Sequence, residues 1–134
     1  GAELRPESVT LDLTGRATVV TEQSRFTLPL PGRHLAANAM LAMAVGIAQG
    51  ALESATDYAR RREQFGQAIG QFQAVQWMLA DSAVEVEAAR LLVMKAAVEK
   101  QEGRDVNMAS AMGKLFASET AVRVADRKHA LTGI

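Results

Sequence analysis

Apolar residues recur at alternating spacings of three and four along three long segments of the chain, and this period predicts amphipathic helices that pack through narrow seams. The predicted helices cover about residues 35–64, 70–102 and 106–129. The seam of the first is formed by Leu41, Val45, Ala48, Leu52, Ala55 and Ala59. That of the second is formed by Val75, Leu79, Ser82, Val86, Ala89, Val93 and Ala96. That of the third is formed by Met108, Met112, Leu115, Val122 and Ala125.

Short turns between the helices predict an up-down-up bundle, because helices joined by few residues pack antiparallel. Gly103 is a suitable stop for the second helix, and Asp105 or Asn107 can cap the third. Gly46 and Gly50 lie inside the first helix, where each costs about 1 kcal/mol relative to alanine. We therefore expect another helix to approach the first closely at these two glycines.

The first thirty residues have a different pattern, with short alternating or β-type runs at residues 9–13, 17–20 and 26–28. Thr14-Gly15 offers a turn between the first two runs, and Pro29 and Pro31 are expected to end the extended region. We predict a mainly α protein: a three-helix, incomplete four-helix bundle at residues 34–134 and a small β-hairpin or meander at residues 1–33, together one compact domain.

Composition limits the core and the partners. Hydrophobic residues make up 49% of the chain but aromatic residues only 4%, so the core must consist of alanine, leucine, valine and methionine. Fifteen basic and fifteen acidic residues cancel, and this balance predicts no nucleic-acid or anionic-membrane partner. The weakly polar stretch Leu35–Ala48 is too short to span a bilayer, and the N-terminus lacks a signal-peptide pattern. These features predict a cytoplasmic protein.

A cationic corner is the strongest local candidate for chemistry. Arg60, Arg61 and Arg62 lie at the predicted C-terminal end of the first helix, beside a helix-turn-helix corner at Phe65-Gly66. Cations there complement the negative end of the helix dipole and stand beside a turn whose amides can bind anions. The alternative interpretation is a solvated, charge-capped helix end.

Other catalytic and metal chemistry finds little support in the sequence. The chain has no cysteine, and its two histidines, His34 and His129, are distant in sequence and lack neighbouring acids, so no metal site is predicted. Glu53, Glu85 and Glu87 are interpreted as ordinary solvated helix carboxylates.

Residues 44–127 contain Gly-Ile-Ala, Tyr-Ala, Arg-x-x-Phe-Gly, Gln-x-x-Gln-x-x-Leu-Ala-Asp and Ala-Ser-Ala-Met-x-Lys elements in this order. This segment resembles the C-terminal helical domain of the flavin-dependent acyl-CoA dehydrogenases. The resemblance implies that Arg62 matches an arginine that contacts the FAD pyrophosphate of a neighbouring subunit. It implies that Phe65 and Gln73 match residues beside the adenine side of the same FAD, while Gln64 stands where relatives often have a hydroxyl residue.

The same resemblance implies that the catalytic base is missing. In most relatives the glutamate follows the region where this chain ends, and in a minority it lies where this chain has Ala36, next to an arginine position occupied by Ala37. The family bundle has four helices, and the fourth would follow the last residue here. The resulting groove predicts a homo-oligomer.

The opening segment differs. Its Leu-Pro-Gly-Arg-His sequence, followed by an asparagine and alanines, resembles the central domain of the Mur peptidoglycan ligases, with matches at Pro31, Gly32, Arg33, His34 and Asn38. No phosphate-binding glycine loop accompanies it, so His34 and Asn38 are interpreted as turn and cap residues. We predict a recombined protein joined near Met43–Ala44, self-associating, without enzymatic activity or cofactor. The alternative is a natural acyl-CoA dehydrogenase-like subunit or fragment that contributes FAD pyrophosphate contacts and oligomerisation.

Overall fold

The computed structural model describes residues 8–11, 16–20, 25–31 and 33–133. Within these ranges the long helices are α1 (Arg33–Arg61), α2 (Gln73–Gln101) and α3 (Asn107–Thr132). The strands are β1 (Ser8–Leu11), β2 (Arg16–Val20), β3 (Arg25–Pro31), β4 (Glu63–Gln64) and β5 (Gln67–Ala68). The predicted fold class is confirmed: the three helices form an up-down-up bundle preceded by a small antiparallel meander.

The meander has the strand order β1-β2-β3, with every pair antiparallel, and it contacts α1. Pro31 is the last residue of β3, so the extended region ends there as predicted, whereas Pro29 lies inside the strand. An edge strand tolerates proline, because one side of its backbone needs no ladder hydrogen bond, and the pairing of β2 with β3 is indeed irregular here. The predicted turn at Thr14-Gly15 lies outside the described residues.

The predicted seams of α1 and α2 are confirmed. Leu41, Val45, Ala48, Ala55 and Ala59 are buried in α1. Ser82, Val86, Ala89 and Ala96 are buried in α2. Within the described ranges, Val45 and Ala48 of α1 and Val86 and Ala89 of α2 form one cluster with small side chains of α3. The core is therefore built mainly of alanine and valine, whose small side chains let the helices pack closely.

The predicted seam of α3 is wrong in its phase around the helix. Met108 and Leu115 are 73% and 62% exposed, and Met112 is also exposed. The buried residues of α3 are instead small: Ala109, Gly113, Ala117, Thr120, Ala121 and Val124. The reason is that α3 packs close to the backbones of both other helices, and only small side chains fit between them.

Gly113 shows how close this approach is. A Cβ atom placed on Gly113 would lie 3.6 Å from the carbonyl oxygen of Leu92 on α2. The close approach predicted at Gly46 and Gly50 is wrong, because a Cβ atom on either glycine meets nothing within 4 Å.

Glycine and a capping side chain form the turn between α2 and α3, as predicted. Gly103 has a φ of 71° and its N–H donates to Lys100 O at 3.1 Å. The N–H of Asn107 donates to Asp105 Oδ1 at 3.0 Å, which satisfies one free amide at the start of α3.

Part of α1 is apolar enough to raise the question of a membrane. Residues Ala39–Arg61 could cross a bilayer by length and composition alone, and this stretch is longer than the Leu35–Ala48 segment considered from the sequence. The core helix of a soluble bundle satisfies the same criterion. In this structure α1 buries its seam against α2 and α3.

Candidate functional site

The segment between α1 and α2 is a β-hairpin, not the helix-turn-helix corner that the sequence predicted. Helix α1 ends at Arg61, before the predicted end at Gln64. Strands β4 and β5 then pair antiparallel, with Glu63 opposite Ala68 and Gln64 opposite Gln67. A short 3₁₀ turn, Ile69–Gln71, leads into α2, which begins at Gln73 and not at Gly70.

The tip of this hairpin is the two-residue turn Phe65-Gly66. Its φ angles are 53° and 80°, so both residues have the positive φ of a type I′ turn. Gly66 adopts this conformation without penalty, whereas Phe65 is strained, by about 1–2 kcal/mol. A strained residue persists only where its surroundings hold it, and such residues concentrate at ligand-binding sites.

Backbone contacts with the last turn of α1 hold the base of the hairpin. The N–H of Arg62 donates to Tyr58 O, and the N–H of Ile69 donates to Arg62 O, both at 2.8 Å. Gly70 lies so close to α1 that an added Cβ would be 3.2 Å from the carbonyl oxygen of Ala59. The hairpin is therefore fixed to the bundle at its base.

Two phenylalanines connect the tip to the beginning of α2. The rings of Phe65 and Phe72 meet edge to face, with centroids 6.2 Å apart and an interplanar angle of 87°. Phe65 nevertheless remains 93% exposed. The ring contact places the tip beside Phe72, the residue before the exposed Gln73, so the hairpin brings together the chain segments that carry Arg62, Phe65 and Gln73.

The arginines at the end of α1 make few hydrogen bonds or ion pairs with other described residues. Arg62 and Arg60 are exposed, and their guanidinium groups make no hydrogen bond or ion pair within the described part of the chain. Arg61 Nε donates to the backbone oxygen of Asp57 at 3.2 Å. The corner thus carries three arginines that make no ion pair with a described residue, and the exposed ring of Phe65 follows three residues after Arg62.

The description of Glu85 as a solvated carboxylate is wrong. Glu85 Oε1 accepts from Arg127 Nη2 at 2.8 Å, and Glu85 Oε2 accepts from Arg123 Nε at 2.9 Å. The side chain of Glu85 is 21% exposed. The sequence showed only that Arg123 and Arg127 lie four residues apart on one side of α3, and this spacing does not identify Glu85 as their partner.

The two arginines alter the proton affinity of Glu85. Burial raises the pKa of the Glu85 carboxyl. The hydrogen bonds from Arg127 and Arg123 and their positive charges lower the pKa by more than burial raises it, so the pKa lies below the ordinary value. A carboxylate held ionised by two arginines is a poor general base. This cluster joins α2 to α3 and is structural.

The other singled-out residues remain apart from the corner. Glu53 and Glu87 are exposed, as predicted, and pair locally with Gln49 and Arg90. His34, Ala36, Ala37 and Asn38 lie within the first turns of α1, so Asn38 is not a turn or cap residue. No group of three or more histidines or acids able to hold a metal occurs in the ranges that the structure describes.

The arrangement defines a mainly α bundle domain that carries a β-hairpin with arginine and phenylalanine residues between its first two helices. Residues 34–133 match the family model described as the acyl-CoA dehydrogenase C-terminal domain, and the chain belongs to this family.

Named relatives agree with this assignment. The chain is 52% identical over 82 residues to the 3-sulfinopropanoyl-CoA desulfinase of Paraburkholderia xenovorans, covering 61% of this chain and 21% of that protein. It is 55% identical over 84 residues to the probable acyl-CoA dehydrogenase FadE25 of Mycobacterium tuberculosis, covering 62% and 22%. The chain therefore spans about a fifth of the length of these curated relatives.

The chain is also similar to a solved structure over a longer part of its length. The butyryl-CoA dehydrogenase of Megasphaera elsdenii is 34% identical, with a TM-score of 0.67, and the alignment covers 87% of this chain and 34% of that chain. This coverage exceeds residues 34–133, so the likeness also includes part of the chain before α1.

These matches do not support the prediction of a recombined protein. The family match begins at residue 34, before the junction predicted at Met43–Ala44, so α1 matches the same family on both sides of that position. Neither the relatives nor the solved structure supports a Mur ligase segment. The alternative stated from the sequence, a natural acyl-CoA dehydrogenase-like chain, is the better supported one.

Proposed function

We propose that this chain is the helical portion of a natural acyl-CoA dehydrogenase-like flavoprotein, and that its hairpin contributes to an FAD site shared with a neighbouring subunit. One observation carries the proposal. The Arg62 guanidinium and the Phe65 ring are both exposed on a hairpin whose base is fixed to α1, and neither side chain gains burial there. Phe65 keeps a strained backbone although its ring is exposed, and this supports a role for the ring in binding a ligand outside the fold.

The three residues suit complementary parts of FAD. The planar guanidinium of Arg62 can donate two hydrogen bonds to a pyrophosphate, the geometry in which arginine exceeds lysine. The ring of Phe65 offers a stacking surface for adenine, and the amide of Gln73 can donate and accept hydrogen bonds at its edge. The chemistry that FAD supplies when bound is acceptance of a hydride.

The role assigned to this chain is binding, not proton abstraction. Among the described residues, Glu53 and Glu87 are exposed surface acids. Arg123 and Arg127 lower the pKa of the Glu85 carboxyl, which makes it a poor general base. By their names, one of the two relatives is a desulfinase and the other a probable dehydrogenase, and both act on acyl-CoA thioesters. We propose an acyl-CoA thioester as the substrate class of the complete protein, and a cytoplasmic location.

An NMR titration tests the flavin contact directly. FAD, ADP and riboflavin are added separately to the ¹⁵N-labelled chain up to about 1 mM, a range in which a partial site with a ΔG of about −4 kcal/mol is detectable. FAD and ADP are expected to shift amide signals of residues 62–73. Riboflavin is expected to leave them unchanged, because it lacks both the pyrophosphate and the adenine.

Two arginine variants provide the matched control. Arg62→Gln is expected to weaken ADP binding about tenfold, the effect of one lost charge-assisted contact worth about 1.4 kcal/mol. Arg60→Gln removes the same charge from the same helix end and is expected to change binding less than about twofold, the size of a screened surface charge. Equal effects of the two variants, or no shifts with FAD, would contradict the proposal.

A further inference from the structure

The side chain of Gln76 makes a hydrogen bond that leaves its own helix. Its Nε2 donates to the carbonyl oxygen of Gly70 at 3.0 Å, across six residues of the chain. Gly70 belongs to the 3₁₀ turn before α2, whereas Gln76 lies in the first turn of α2. A side chain on a helix normally meets neighbours three or four residues away. This bond therefore joins α2 to the segment that precedes it.

The bend between the 3₁₀ turn and α2 receives no help from its capping side chains. Phe72 is the N-cap of α2 and Ala68 is that of the 3₁₀ turn, and neither makes a capping hydrogen bond through its side chain. The residues preferred at such a position carry an oxygen acceptor, which phenylalanine and alanine lack. Phe72 is extended, with a φ of −79° and a ψ of 130°. It is therefore the residue about which the start of α2 can turn.

Two backbone bonds follow the chain through this bend. The N–H of Phe72 donates to Ile69 O, and the N–H of Gln76 donates to Phe72 O, both at 3.1 Å. Each of them has Phe72 at one end, so neither spans it. The bond from Gln76 Nε2 to Gly70 O does span Phe72, and it restrains the turning of α2 about that residue.

The Gly70 end of this bond is fixed to α1. A Cβ atom on Gly70 would lie 3.2 Å from Ala59 O, and the N–H of the neighbouring Ile69 donates to Arg62 O at 2.8 Å. Gly70 is thus part of the hairpin base that carries Arg62. The bond from Gln76 consequently connects this base to the first turn of α2.

Gln73 and Gln76 lie on the same side of α2. Both are exposed, and a separation of three residues at about 100° each places them about 60° apart around the helix. A movement of the first turn about Phe72 would therefore displace both side chains together. Two groups that bind one ligand must keep their spacing within about 0.5 Å. A bond that restrains this movement keeps Gln73 at a constant spacing from Arg62.

We infer that Gln76 is a positioning residue of the shared FAD site: its amide fixes the first turn of α2 to the hairpin base, so that Arg62 and Gln73 can bind the same ligand together. The inference rests on the proposed function and adds to it a residue that needs no contact with FAD. The alternative is that the bond only stabilises the beginning of α2. Its removal would then weaken the contacts of Arg62 and Gln73 alike.

Exchange of side-chain amide protons tests the bond without a ligand. Gln71 and Gln76 are both exposed glutamines of this segment, and of the two only Gln76 donates from its side chain to a described residue. The Nε2 protons of Gln76 are expected to exchange with water about threefold more slowly than those of Gln71, the protection that a hydrogen bond of modest net strength gives. Equal exchange would show that the bond does not form in solution, and it would overturn the inference while leaving the proposed flavin contact intact.

A double-mutant cycle with ADP tests the positioning role. Gln76→Met nearly keeps the shape of the side chain and removes the donor. Gln73→Ala and Gln76→Met are each expected to weaken ADP binding about fivefold, the effect of one lost hydrogen bond of ordinary strength. In the Gln76→Met chain, Gln73→Ala is expected to weaken binding by less than about twofold more, because Gln73 is already displaced.

Arg62 provides the second half of the cycle. Arg62→Gln is expected to weaken ADP binding about tenfold in the Gln76→Met chain, as it does in the wild-type chain. The reason is that backbone bonds from Arg62 and Ile69 hold the hairpin base to α1 whether or not Gln76 is present. A loss of both effects in the Gln76→Met chain would show that the bond stabilises the whole segment and has no specific role in placing Gln73.

Two further variants supply the control and the rescue. Gln71→Met removes an exposed amide from the same segment, and Gln73→Ala is expected to keep its effect of about fivefold in that chain. Gln76→Lys keeps a donor on a side chain long enough to reach Gly70 O, and it is expected to restore the fivefold effect of Gln73→Ala. Comparison within the Gln76→Lys chain cancels the added charge. Failure of this rescue would show that the donor of Gln76 is not what matters.

The remaining outcomes separate this inference from the proposed function. A wild-type chain that binds neither ADP nor FAD contradicts the proposed function, and the positioning role falls with it. Binding in which Gln73→Ala costs about fivefold in both the wild-type and the Gln76→Met chain supports the flavin contact and shows that Gln76 does not position Gln73.

Discussion

The α2–α3 interface and the hairpin between α1 and α2 differ in how far their side chains find partners within the fold. At the interface, Glu85 binds Arg123 and Arg127, and Arg127 also donates to Ser82. No buried side-chain nitrogen or oxygen within the described residues lacks a hydrogen-bond partner. At the hairpin, Arg62 has no partner in the described chain and Phe65 is almost fully exposed.

This difference distinguishes residues that stabilise the fold from residues that are available to bind a ligand. Charges satisfied inside the fold fix one helix against another, and their removal is expected to change stability. Charges and rings left outside, on a backbone conformation that costs free energy, are expected to change binding and to leave stability nearly unchanged. The predictions below test this separation, beginning with the largest expected effect.

Overpacking the interface gives the largest effect. Ala117 is fully buried among the three helices, and Ala117→Leu is expected to lower the free energy of unfolding by about 2–3 kcal/mol, because no space exists for the added atoms. Urea unfolding followed by circular dichroism measures the loss. Ala111→Leu, at an exposed position of the same helix, is the control and is expected to change stability by less than about 0.5 kcal/mol.

Neutralising the carboxylate of the interface gives the next largest effect. Glu85→Gln is expected to lower the free energy of unfolding by about 1–2 kcal/mol, since two charge-assisted hydrogen bonds are weakened in a half-buried position. Glu87→Gln disrupts an exposed pair with Arg90 and is expected to cost less than about 0.5 kcal/mol. Similar losses in the two variants would show that the Glu85 cluster is no stronger than a surface pair.

Acid should remove the contribution of Glu85. Its pKa is lowered in the folded state relative to the ordinary value of 4.5, so the stabilisation is complete above that value. It is lost as the pH falls below 4.5 and through the lower folded pKa. The stability difference between the wild-type chain and Glu85→Gln is therefore expected to be constant near pH 7 and to shrink below pH 4.5. A difference that grows on acidification would contradict the assignment.

The smallest stability effect is expected at the hairpin tip. Phe65→Asn places the residue favoured in a type I′ turn before Gly66, and the relief of strain offsets the lost ring contact with Phe72. The free energy of unfolding should change by less than about 0.5 kcal/mol, while ADP binding weakens several-fold. Phe65→Ala keeps the strain and is expected to lose about 1 kcal/mol in addition to binding. A large destabilisation by Phe65→Asn would assign the ring a structural role.

The sequence predicted well where burial follows apolar character. The seams of α1 and α2 contain Leu41, Val45 and Val86, whose burial a helical period reveals directly. It failed on α3, because Met108 and Leu115 gave a stronger apolar signal than Ala117 and Gly113, although the small residues are the ones that fit between two backbones.

The candidate site was predicted by resemblance more than by pattern. The positions of Arg62, Phe65 and Gln73 came from family motifs, and Gly66 correctly indicated a turn. The hairpin itself was missed because a strand of two residues is too short to show an alternation of apolar and polar residues. The Glu85 cluster was missed because its partners lie about forty residues away in sequence, beyond any local pattern.

Trp77 is the only tryptophan of the chain, and it lies exposed on the surface of α2, not in the core. Its fluorescence therefore reports the water around one surface of α2 and little of the bundle interior. An emission maximum that moves to shorter wavelength when a partner or ligand is added, at constant helix content, would show that this surface of α2 has been covered, without any added label.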